Sequence, residues 1–272
     1  MKSKRALIIS TEFPPALGGI GSHAFYLAKE LQNIGWQLVV ASEQSYVSSN
    51  EIEESNKRSS FPVYRLLPTP SVLLLFRKLL FLIKIIVKHR PNIIIGTGKH
   101  GSWFAFAVSK ITFRKCVLIG HGTEFTVTMS PLSEKINQYV YSSCHKLICV
   151  SNYTLQVALQ KGILNANPIV IHNGGDTENF KVLEKATVAK FRLANNLVDR
   201  KTILTLGNVS DRKGQEWIIR AMPKVIATIP NAHYYCIGTP SIVPKLKEII
   251  RELRLENHVH FLGKQTTENV VL

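Results

Sequence analysis

The feature that most constrains the fold is a strand, a glycine-rich turn and a helix that open the chain and begin again later in it. Ala6–Ser10 is a short apolar run that predicts a buried parallel strand. A turn containing Gly18, Gly19 and Gly21 follows, and then Ala24–Ile34 has the spacing of a helix. This order is typical of a doubly wound α/β domain.

The alternation continues and predicts a complete Rossmann-like domain over residues 1–180. Further strands are predicted at Leu38–Ala41, Val63–Leu67, Ile93–Ile95, Cys116–Ile119, Lys146–Val150 and Pro168–Ile171. Further helices are predicted at Val72–Lys88, Trp103–Ser109, Leu132–Tyr141 and Asn152–Gln160. The polar, charged stretch Ser45–Ser60 is predicted to be a loop.

The pattern weakens over residues 181–200, which are predicted to connect two domains and to contain one short helix around Val188–Leu193. It begins again over residues 201–272, with strands at Thr202–Leu206, His233–Ile237 and Val259–Leu262 and helices at Gln215–Ile229 and Val243–Leu253. Three strands and two helices make a thin domain. The predicted class is therefore α/β, with a complete N-terminal Rossmann-like domain and an incomplete second one.

The charge is strongly positive and uneven along the chain. The 272 residues contain 34 Lys and Arg against 18 Asp and Glu, a formal net charge of +16. No acidic residue occurs between Glu54 and Glu124, whereas twelve basic residues do. Such a segment attracts phosphates, anionic lipid or nucleic acid. The aromatic and basic modules of nucleic-acid binders are missing, so we expect no nucleic-acid partner.

The segment Val72–Lys88 is apolar except for its basic residues Arg77, Lys78, Lys84 and Lys88. As a helix it would be a wide apolar cylinder with a narrow stripe of Arg77, Lys84 and Lys88. It is too charged to span a bilayer. Two interpretations remain open. One is a crossover helix packed on the sheet, and the other is an interfacial helix that sets the four basic residues against an anionic membrane.

The cysteines Cys116, Cys144, Cys149 and Cys236 form no CxxC pair, and each lies in or beside an apolar run. This predicts free buried thiols in a reducing compartment and no metal site. No signal peptide is visible, because the first apolar run is only four residues long. We therefore expect a cytoplasmic protein, or one bound peripherally to the inner face of the plasma membrane.

Two loops of the first domain carry residues suited to ligand binding. Gly18, Gly19 and Gly21 lie where the backbone can approach a ligand and a helix N-terminus can bind an anion. The alternative is a tight turn without a ligand. His121 follows a predicted strand, at the edge of an open sheet that faces ligands, and Glu124 would serve the same cleft. The alternative is a structural histidine.

Two later loops also follow predicted strands. Asn173 lies in a turn that is either a simple turn or a contact to acceptor or donor. The other loop contains Gly207, Asn208, Arg212 and Lys213 and precedes a helix. Two adjacent cations at a helix N-terminus suit a diphosphate, although the loop is not a Walker sequence. The alternative is a solvated basic turn.

Six stretches together resemble one known family, because they occur in order and at suitable distances. They are TEFPPALGGIG at 11–21, GHGTE at 120–124, CVSNYT at 149–154, VIHNGGDTENF at 170–180, LTLGNVSDRKG at 204–214 and VHFLG at 259–263. The set resembles the family 4 retaining glycosyltransferases of group 1 type, which have the GT-B fold.

The resemblance implies two Rossmann-like domains that face each other across a cleft, the first for the acceptor and the second for a nucleotide-sugar donor. It places the three loop glycines along that cleft and His121 against the transferred sugar. Lys213, helped by Arg212, would hold the diphosphate leaving group. The implied reaction is transfer with retention to a saccharide or a lipid-linked saccharide. No cofactor or metal is expected, because the cations offset the departing charge.

The sequence departs from the family pattern in two places. Asn208 stands where the family usually has arginine. The paired glutamates of the family lie beyond VHFLG, and the sequence does not reach them. The resemblance therefore implies a C-terminally truncated member, from which we expect weak or no turnover. The alternative is an inactive remnant, or an acceptor-binding subunit that needs a partner chain.

Overall fold

The computed structural model describes residues 4–15, 18–43, 48–66, 72–164, 167–178, 180–239 and 242–265. The chain divides into two compact units, Met1–Gly174 and Gly175–Leu272. The division lies six residues before the end of the first predicted domain. The segment predicted to connect the domains contains α8, Lys185–Ala194, and belongs to the second unit.

The first unit is built on a seven-stranded parallel sheet. Its strands are β1 Arg5–Ser10, β2 Gln37–Glu43, β3 Val63–Leu66, β4 Ile93–Thr97, β5 Lys115–Gly120, β6 Lys146–Cys149 and β7 Ile169–Val170. They lie in the order β3-β2-β1-β4-β5-β6-β7. The order reverses between β1 and β4, as in a doubly wound fold.

Helices connect these strands and cover both faces of the sheet. They are α1 Gly19–Asn33, α2 Ser49–Lys57, α3 Val72–His89, α4 Lys99–Ile111, α5 Thr123–Thr126, α6 Pro131–Ser142 and α7 Asn152–Gln160. Successive residues of β1 point to opposite faces, so Leu7 and Ile9 pack in the layer that contains α3 and α4. Ala6 and Ile8 pack in the other layer, with Ala24 of α1.

The second unit holds a three-stranded parallel sheet in the order β10-β9-β8. Its strands are β8 Lys201–Leu206, β9 Ala232–Ile237 and β10 Val259–Gly263, and α9 Gln215–Thr228 and α10 Val243–Glu252 connect them. Ile219, Met222, Tyr234 and Leu246 form its buried centre. The α/β class and the sequence of elements predicted for both units are therefore present.

One predicted loop is wrong. Ser45–Ser60 was expected to be irregular because it is polar, but α2 occupies Ser49–Lys57. Ser48 caps this helix, since its hydroxyl accepts from the backbone N–H of Glu51 and the Glu51 carboxylate accepts from the N–H of Ser48. α2 buries no residue, so capping and not an apolar face stabilises it.

The four cysteines are buried free thiols. Burial raises the pKa of Cys116 to about 12 and the pKa values of Cys144 and Cys149 to about 11, which keeps these thiols unreactive. Within the described ranges, no helix has both the length and the apolar character that crossing a bilayer requires.

Candidate active site

The carboxyl ends of β1 and β4 lie side by side where the strand order reverses. Ser10 ends β1, Thr97 ends β4, and the two residues pair in register. Both are fully buried. Ligands of open parallel sheets bind outside the carboxyl ends at such a reversal. We therefore expect a ligand site at this edge of the first unit.

The glycine-rich turn closes over this edge from β1. α1 begins at Gly19, and its N-cap Gly18 has no side chain with which to cap the backbone N–H groups of the first turn. A Cβ on Gly18 would overlap the carboxylate of Glu12, and one on Gly21 would lie 3.2 Å from the backbone carbonyl carbon of Glu12. A Cβ on Gly19 would meet no atom within 4 Å. Gly18 and Gly21 thus allow close packing against Glu12, whose carboxylate lies beside the N-cap of α1, while a side chain at position 19 would meet open space.

His121 reaches the same edge from β5, directly after Gly120. Its Nε2 lies 2.8 Å from the hydroxyl of Thr97, and its ring meets the edge of the His23 ring at a centroid distance of 4.8 Å. Burial, helped by the nearby His23, lowers the pKa of His121 to about 4. The imidazole is therefore neutral at pH 7, where it can exchange hydrogen bonds but carries no charge.

Glu124 lies beneath this loop. Only 2% of the residue is exposed, and its Oε2 accepts a 3.0 Å hydrogen bond from the backbone N–H of His121. Burial also raises the pKa of the carboxyl group. In the structure the Glu124 side chain is buried and holds the His121 backbone through Oε2. Its contact with acceptor or donor stays a prediction.

The buried side-chain amide of Asn137 also holds the loop that contains His121. Asn137 of α6 donates from Nδ2 to the carbonyl of Glu124 at 2.9 Å and accepts from the indole Nε1 of Trp103 at 2.9 Å. Asn137 is 3% exposed, so both bonds are shielded from water. The His121 loop is thereby tied to α4 and α6.

Asn173 does not join the group formed by His121, Thr97 and His23. It lies exposed in the segment after β7, and no hydrogen bond links it to His121 in the described part of the chain. Gly174 and Gly175 beside it have open space around them. The division between the two units falls here.

The second unit has its own loop at the carboxyl end of β8. Gly207 has a φ of +141°, and a Cβ there would lie 3.8 Å from the ammonium nitrogen of Lys213. Gln215, at the start of α9, is buried and donates from Nε2 to the carbonyl of Asn208 at 3.1 Å. The loop is therefore folded back on itself, with the Lys213 side chain lying over Gly207.

The described acidic residues beside these cations pair with a lysine of α10. Asp211 pairs with Lys245 at 3.3 Å, and Glu216 pairs with Lys245 at 2.9 Å. Arg212 and Lys213 are exposed and form no salt bridge to any described residue. They stand before the N-terminus of α9, whose helix dipole adds to their positive field. This arrangement suits a bound anion.

Two family models match the chain. One is described as Glycosyltransferase Family 4 and matches residues 17–179, and the other, Glycosyl transferases group 1, matches residues 189–272. The chain belongs to Glycosyltransferase Family 4. The family predicted from the ordered motifs is thereby confirmed.

Relatives of this glycosyltransferase act on phosphatidylinositol derivatives, as their names say. The GDP-mannose-dependent monoacylated alpha-(1-6)-phosphatidylinositol monomannoside mannosyltransferase of Corynebacterium glutamicum is 24% identical, over 99% of this chain and 69% of its own length. A phosphatidylinositol N-acetylglucosaminyltransferase subunit of Arabidopsis thaliana is 24% identical, over 95% of this chain and 57% of its own.

Solved structures support the predicted GT-B-like fold. HepE of Anabaena, crystallised with UDP and glucose, matches 97% of this glycosyltransferase and 70% of its own chain with a TM-score of 0.78 at 18% identity. The sucrose-phosphate synthase of Thermosynechococcus elongatus matches 99% of this chain and 72% of its own with a TM-score of 0.74 at 16% identity.

The basic residues of α3 do not all face outward in this glycosyltransferase. Arg77, Lys84 and Lys88 are exposed. Lys78 is only 6% exposed and forms an ion pair with Glu43, at the end of β2. The placement of Lys78 on a membrane surface is therefore wrong, because its charge is used inside the unit to pair a carboxylate from another element.

Two residues of the His121 group were absent from the sequence prediction. Thr97 is marked by its place at the end of β4, directly before a glycine. His23 is marked by its place two residues after the last glycine of the loop, on the first turns of α1. Among the described residues, no cluster of three His, Cys, Asp or Glu side chains could hold a metal ion.

Proposed function

We propose that this glycosyltransferase moves a hexose from a nucleotide-sugar donor to a lipid-linked saccharide or other glycan, with retention at the anomeric carbon. The names of its mannosyl- and N-acetylglucosaminyltransferase relatives support a lipid-linked acceptor. The complex of HepE with UDP and glucose supports a nucleotide-sugar donor. The donor class and the acceptor class are inferred for this chain by similarity. The roles proposed below are those of its own residues.

The observation that carries the proposal is the loop between β8 and α9. Arg212 and Lys213 form no salt bridge with described residues, while the acids beside them are held by Lys245. In the proposed complex, Lys213 holds the diphosphate of the donor, with Arg212 adding positive charge at the N-terminus of α9. Asn208 carries no charge, so Arg212 and Lys213 supply the positive charge of the loop.

In this proposal, His121 contacts the transferred sugar. Its neutral imidazole, oriented by Thr97 on one side and by Glu124 through the backbone, donates or accepts a hydrogen bond with a sugar hydroxyl. A neutral ring does not oppose the positive charge that develops on an oxocarbenium-like sugar. The low pKa of His121 therefore favours the transition state.

The chemical step breaks the bond between the anomeric carbon and a diphosphate oxygen and forms a bond to an acceptor oxygen. The proton of the acceptor hydroxyl passes to the departing diphosphate. Lys213 and Arg212 stabilise the negative charge that appears on that diphosphate. We propose no metal cofactor for this role, since the two cations already occupy it.

Turnover of labelled donors tests the reaction. GDP-mannose, UDP-glucose and UDP-N-acetylglucosamine are incubated with the chain and a lipid extract, and the labelled lipid product is measured. We expect weak transfer from one donor, and we expect His121→Ala to lower its rate by roughly a hundredfold, the scale of losing one aligned transition-state contact. His172→Ala, an exposed histidine, is the matched control. Equal rates for both variants would contradict the role of His121.

We also propose that α3 holds the protein on an anionic membrane surface. Exposed apolar residues of α3, Leu75, Phe76, Leu80, Phe81 and Val87, accompany the exposed basic ones. Apolar side chains with a basic fringe suit the interface of an anionic bilayer.

Vesicle sedimentation tests this surface. We expect binding to vesicles with anionic phosphatidylglycerol, and loss of most binding when Arg77, Lys84 and Lys88 are all changed to Gln. The same change at the exposed Lys29, Lys135 and Lys190 removes equal charge elsewhere and is the control. Equal loss in both triple variants would show attraction by net charge alone and would contradict a binding surface on α3.

A further inference from the structure

α4 ends in a turn, residues 110–115, that carries an aromatic side chain out into solvent. Thr112 is the C-cap of α4, and Phe113 follows it with a φ of +54°, in the left-handed region. The backbone N–H of Arg114 donates to the carbonyl of Ser109 at 2.9 Å, which closes the end of the helix. Phe113 is 95% exposed, so almost none of its ring packs against the described residues. Residues 110–115 form what we call the Phe113 turn.

Phenylalanine is unfavourable at this position for two reasons. A left-handed backbone at the end of a helix favours glycine or asparagine, and a bulky side chain is strained there. The other described non-glycine residues with a positive φ are all polar, namely Arg90, Asn167, Asn196 and Arg254. An apolar ring in water adds a second cost. A residue held in such a conformation and environment indicates a role in binding.

The Phe113 turn is also strongly basic. It contains Lys110, Arg114 and Lys115, and none of these forms a salt bridge with a residue that the structure describes. The turn lies inside the segment of the sequence without acidic residues, so no neighbouring carboxylate along the chain offsets these charges. Ile111, which is 48% exposed, adds a second apolar side chain. The turn therefore presents apolar side chains surrounded by unpaired cations.

The Phe113 turn lies at the same end of the first unit as the last turn of α3. α3 leads into β4 and α4 leads into β5, so both helices end at the amino ends of neighbouring parallel strands. The two helices pack against each other in one layer. Val87 and Lys88, in the last turn of α3, are exposed. The Phe113 turn therefore extends the face of α3 for which we propose membrane contact.

We propose that the Phe113 turn inserts into the surface of an anionic bilayer, with the Phe113 ring among the acyl chains and Lys110, Arg114 and Lys115 at the lipid phosphates. Apolar side chains flanked by cations suit this interface, because the ring leaves water while the charges stay at the headgroups. This inference rests on the proposed membrane contact and adds a second point to α3. A single helix leaves the unit free to rotate about the helix axis, and a second contact removes that rotation.

A fluorescent label attached to the turn tests the insertion. The four native cysteines are buried, so Phe113→Cys gives a thiol reagent one exposed site. A nitrobenzoxadiazole label there should shift its emission to shorter wavelength with phosphatidylglycerol vesicles but not with neutral phosphatidylcholine vesicles. The same label on Val182→Cys, a 99% exposed position of the second unit, is the control and should not shift. No shift at position 113, or equal shifts at both positions, would overturn the proposal.

The variant Phe113→Gly separates binding from folding. Glycine fits the left-handed turn, so this variant should unfold at no lower urea concentration than the wild type. Loss of the ring should nevertheless weaken binding to phosphatidylglycerol vesicles by roughly tenfold, the scale of burying one such side chain. Undiminished binding would overturn the proposal. A lower urea midpoint would show that the ring packs within the protein, and it would overturn the proposal too.

Failure of the Phe113 turn and failure of the α3 surface give different results. The label on Phe76→Cys, an exposed position of α3, reports on that helix under the same conditions. If the label shifts at position 76 and not at 113, the α3 surface stands and the Phe113 turn is overturned. If it shifts at 113 and not at 76, the turn is supported and the α3 surface fails. No shift at either position overturns both.

Discussion

His121 is held neutral by its surroundings, and this property can be measured directly. Burial disfavours the imidazolium, and the adjacent His23 adds to the effect. Because the folded-state pKa of about 4 lies below the ordinary value, the ring should take up its proton only as the pH falls well below 6.

An NMR titration of histidine ring resonances checks this prediction. We expect the His121 signal to stay in its neutral position from pH 8 to pH 5 and to move near pH 4. His121→Gln removes the signal and so assigns it. A midpoint near 6.5 would contradict the buried environment described for this ring.

Asn137 is the residue whose loss should most loosen the His121 loop. Asn137→Ala leaves the indole N–H of Trp103 and the carbonyl of Glu124 without their partner inside the core. Two buried unpaired groups should cost about 3 kcal/mol of the free energy of unfolding of the first unit. Urea unfolding followed by fluorescence of Trp36 and Trp103 measures it, with Trp217→Phe as background to silence the second unit.

The neighbouring Gln138 supplies the control for that experiment. Its amide donates to the carbonyl of Lys161 at the surface. Gln138→Ala should change the free energy of unfolding by less than about 0.5 kcal/mol. Equal costs for the two variants would mean that the Asn137 bonds are not shielded from water.

The roles of residues whose partners lie far away along the chain are the hardest to predict from sequence. Lys78 has the same local sequence context as Arg77, yet an ion pair with Glu43, thirty-five positions earlier, draws it inward. Glu124 is the first acidic residue after Glu54 and lies three positions after His121, which indicates a place in the same cleft. Its burial under α6 depends on packing that no local pattern specifies.

At the scale of elements, the parallel strands were the most predictable parts. Buried parallel strands are continuous apolar runs, as in Ala6–Ile9 and Ile93–Ile95. Helices with an apolar face were found for the same reason. α2 was missed because it has no buried face, and only the pairing of Ser48 with Glu51 in sequence signals it.

The cap of α2 can be tested by amide hydrogen exchange. Ser48→Ala removes both the acceptor for the Glu51 N–H and the hydroxyl bonded to the Glu51 carboxylate. Losing such a cap costs about 1 kcal/mol, so exchange of the α2 amides should become roughly fivefold faster. Ser49→Ala, one position inside the helix, should not accelerate exchange. Unchanged exchange in Ser48→Ala would show that the cap does not hold the helix.

At the scale of the whole molecule, sequence reasoning found two α/β units and the order of their elements. It found the His121 and Arg212–Lys213 loops because both lie at carboxyl ends of parallel strands, where such folds bind ligands. It did not find the support of the His121 loop by Asn137, because α6 reaches Glu124 only through folding.

Calorimetric titration of GDP and UDP into the full chain tests most directly whether the loop between β8 and α9 binds the diphosphate of a nucleotide-sugar. We predict that one of them binds, and that Lys213→Gln weakens binding by roughly tenfold, as expected for one charge-assisted contact to phosphate. Lys224→Gln, an exposed lysine of α9 away from the loop, should stay within about twofold of wild type. Equal affinity in the two variants, or no binding of either nucleotide by the wild-type chain, would contradict the account.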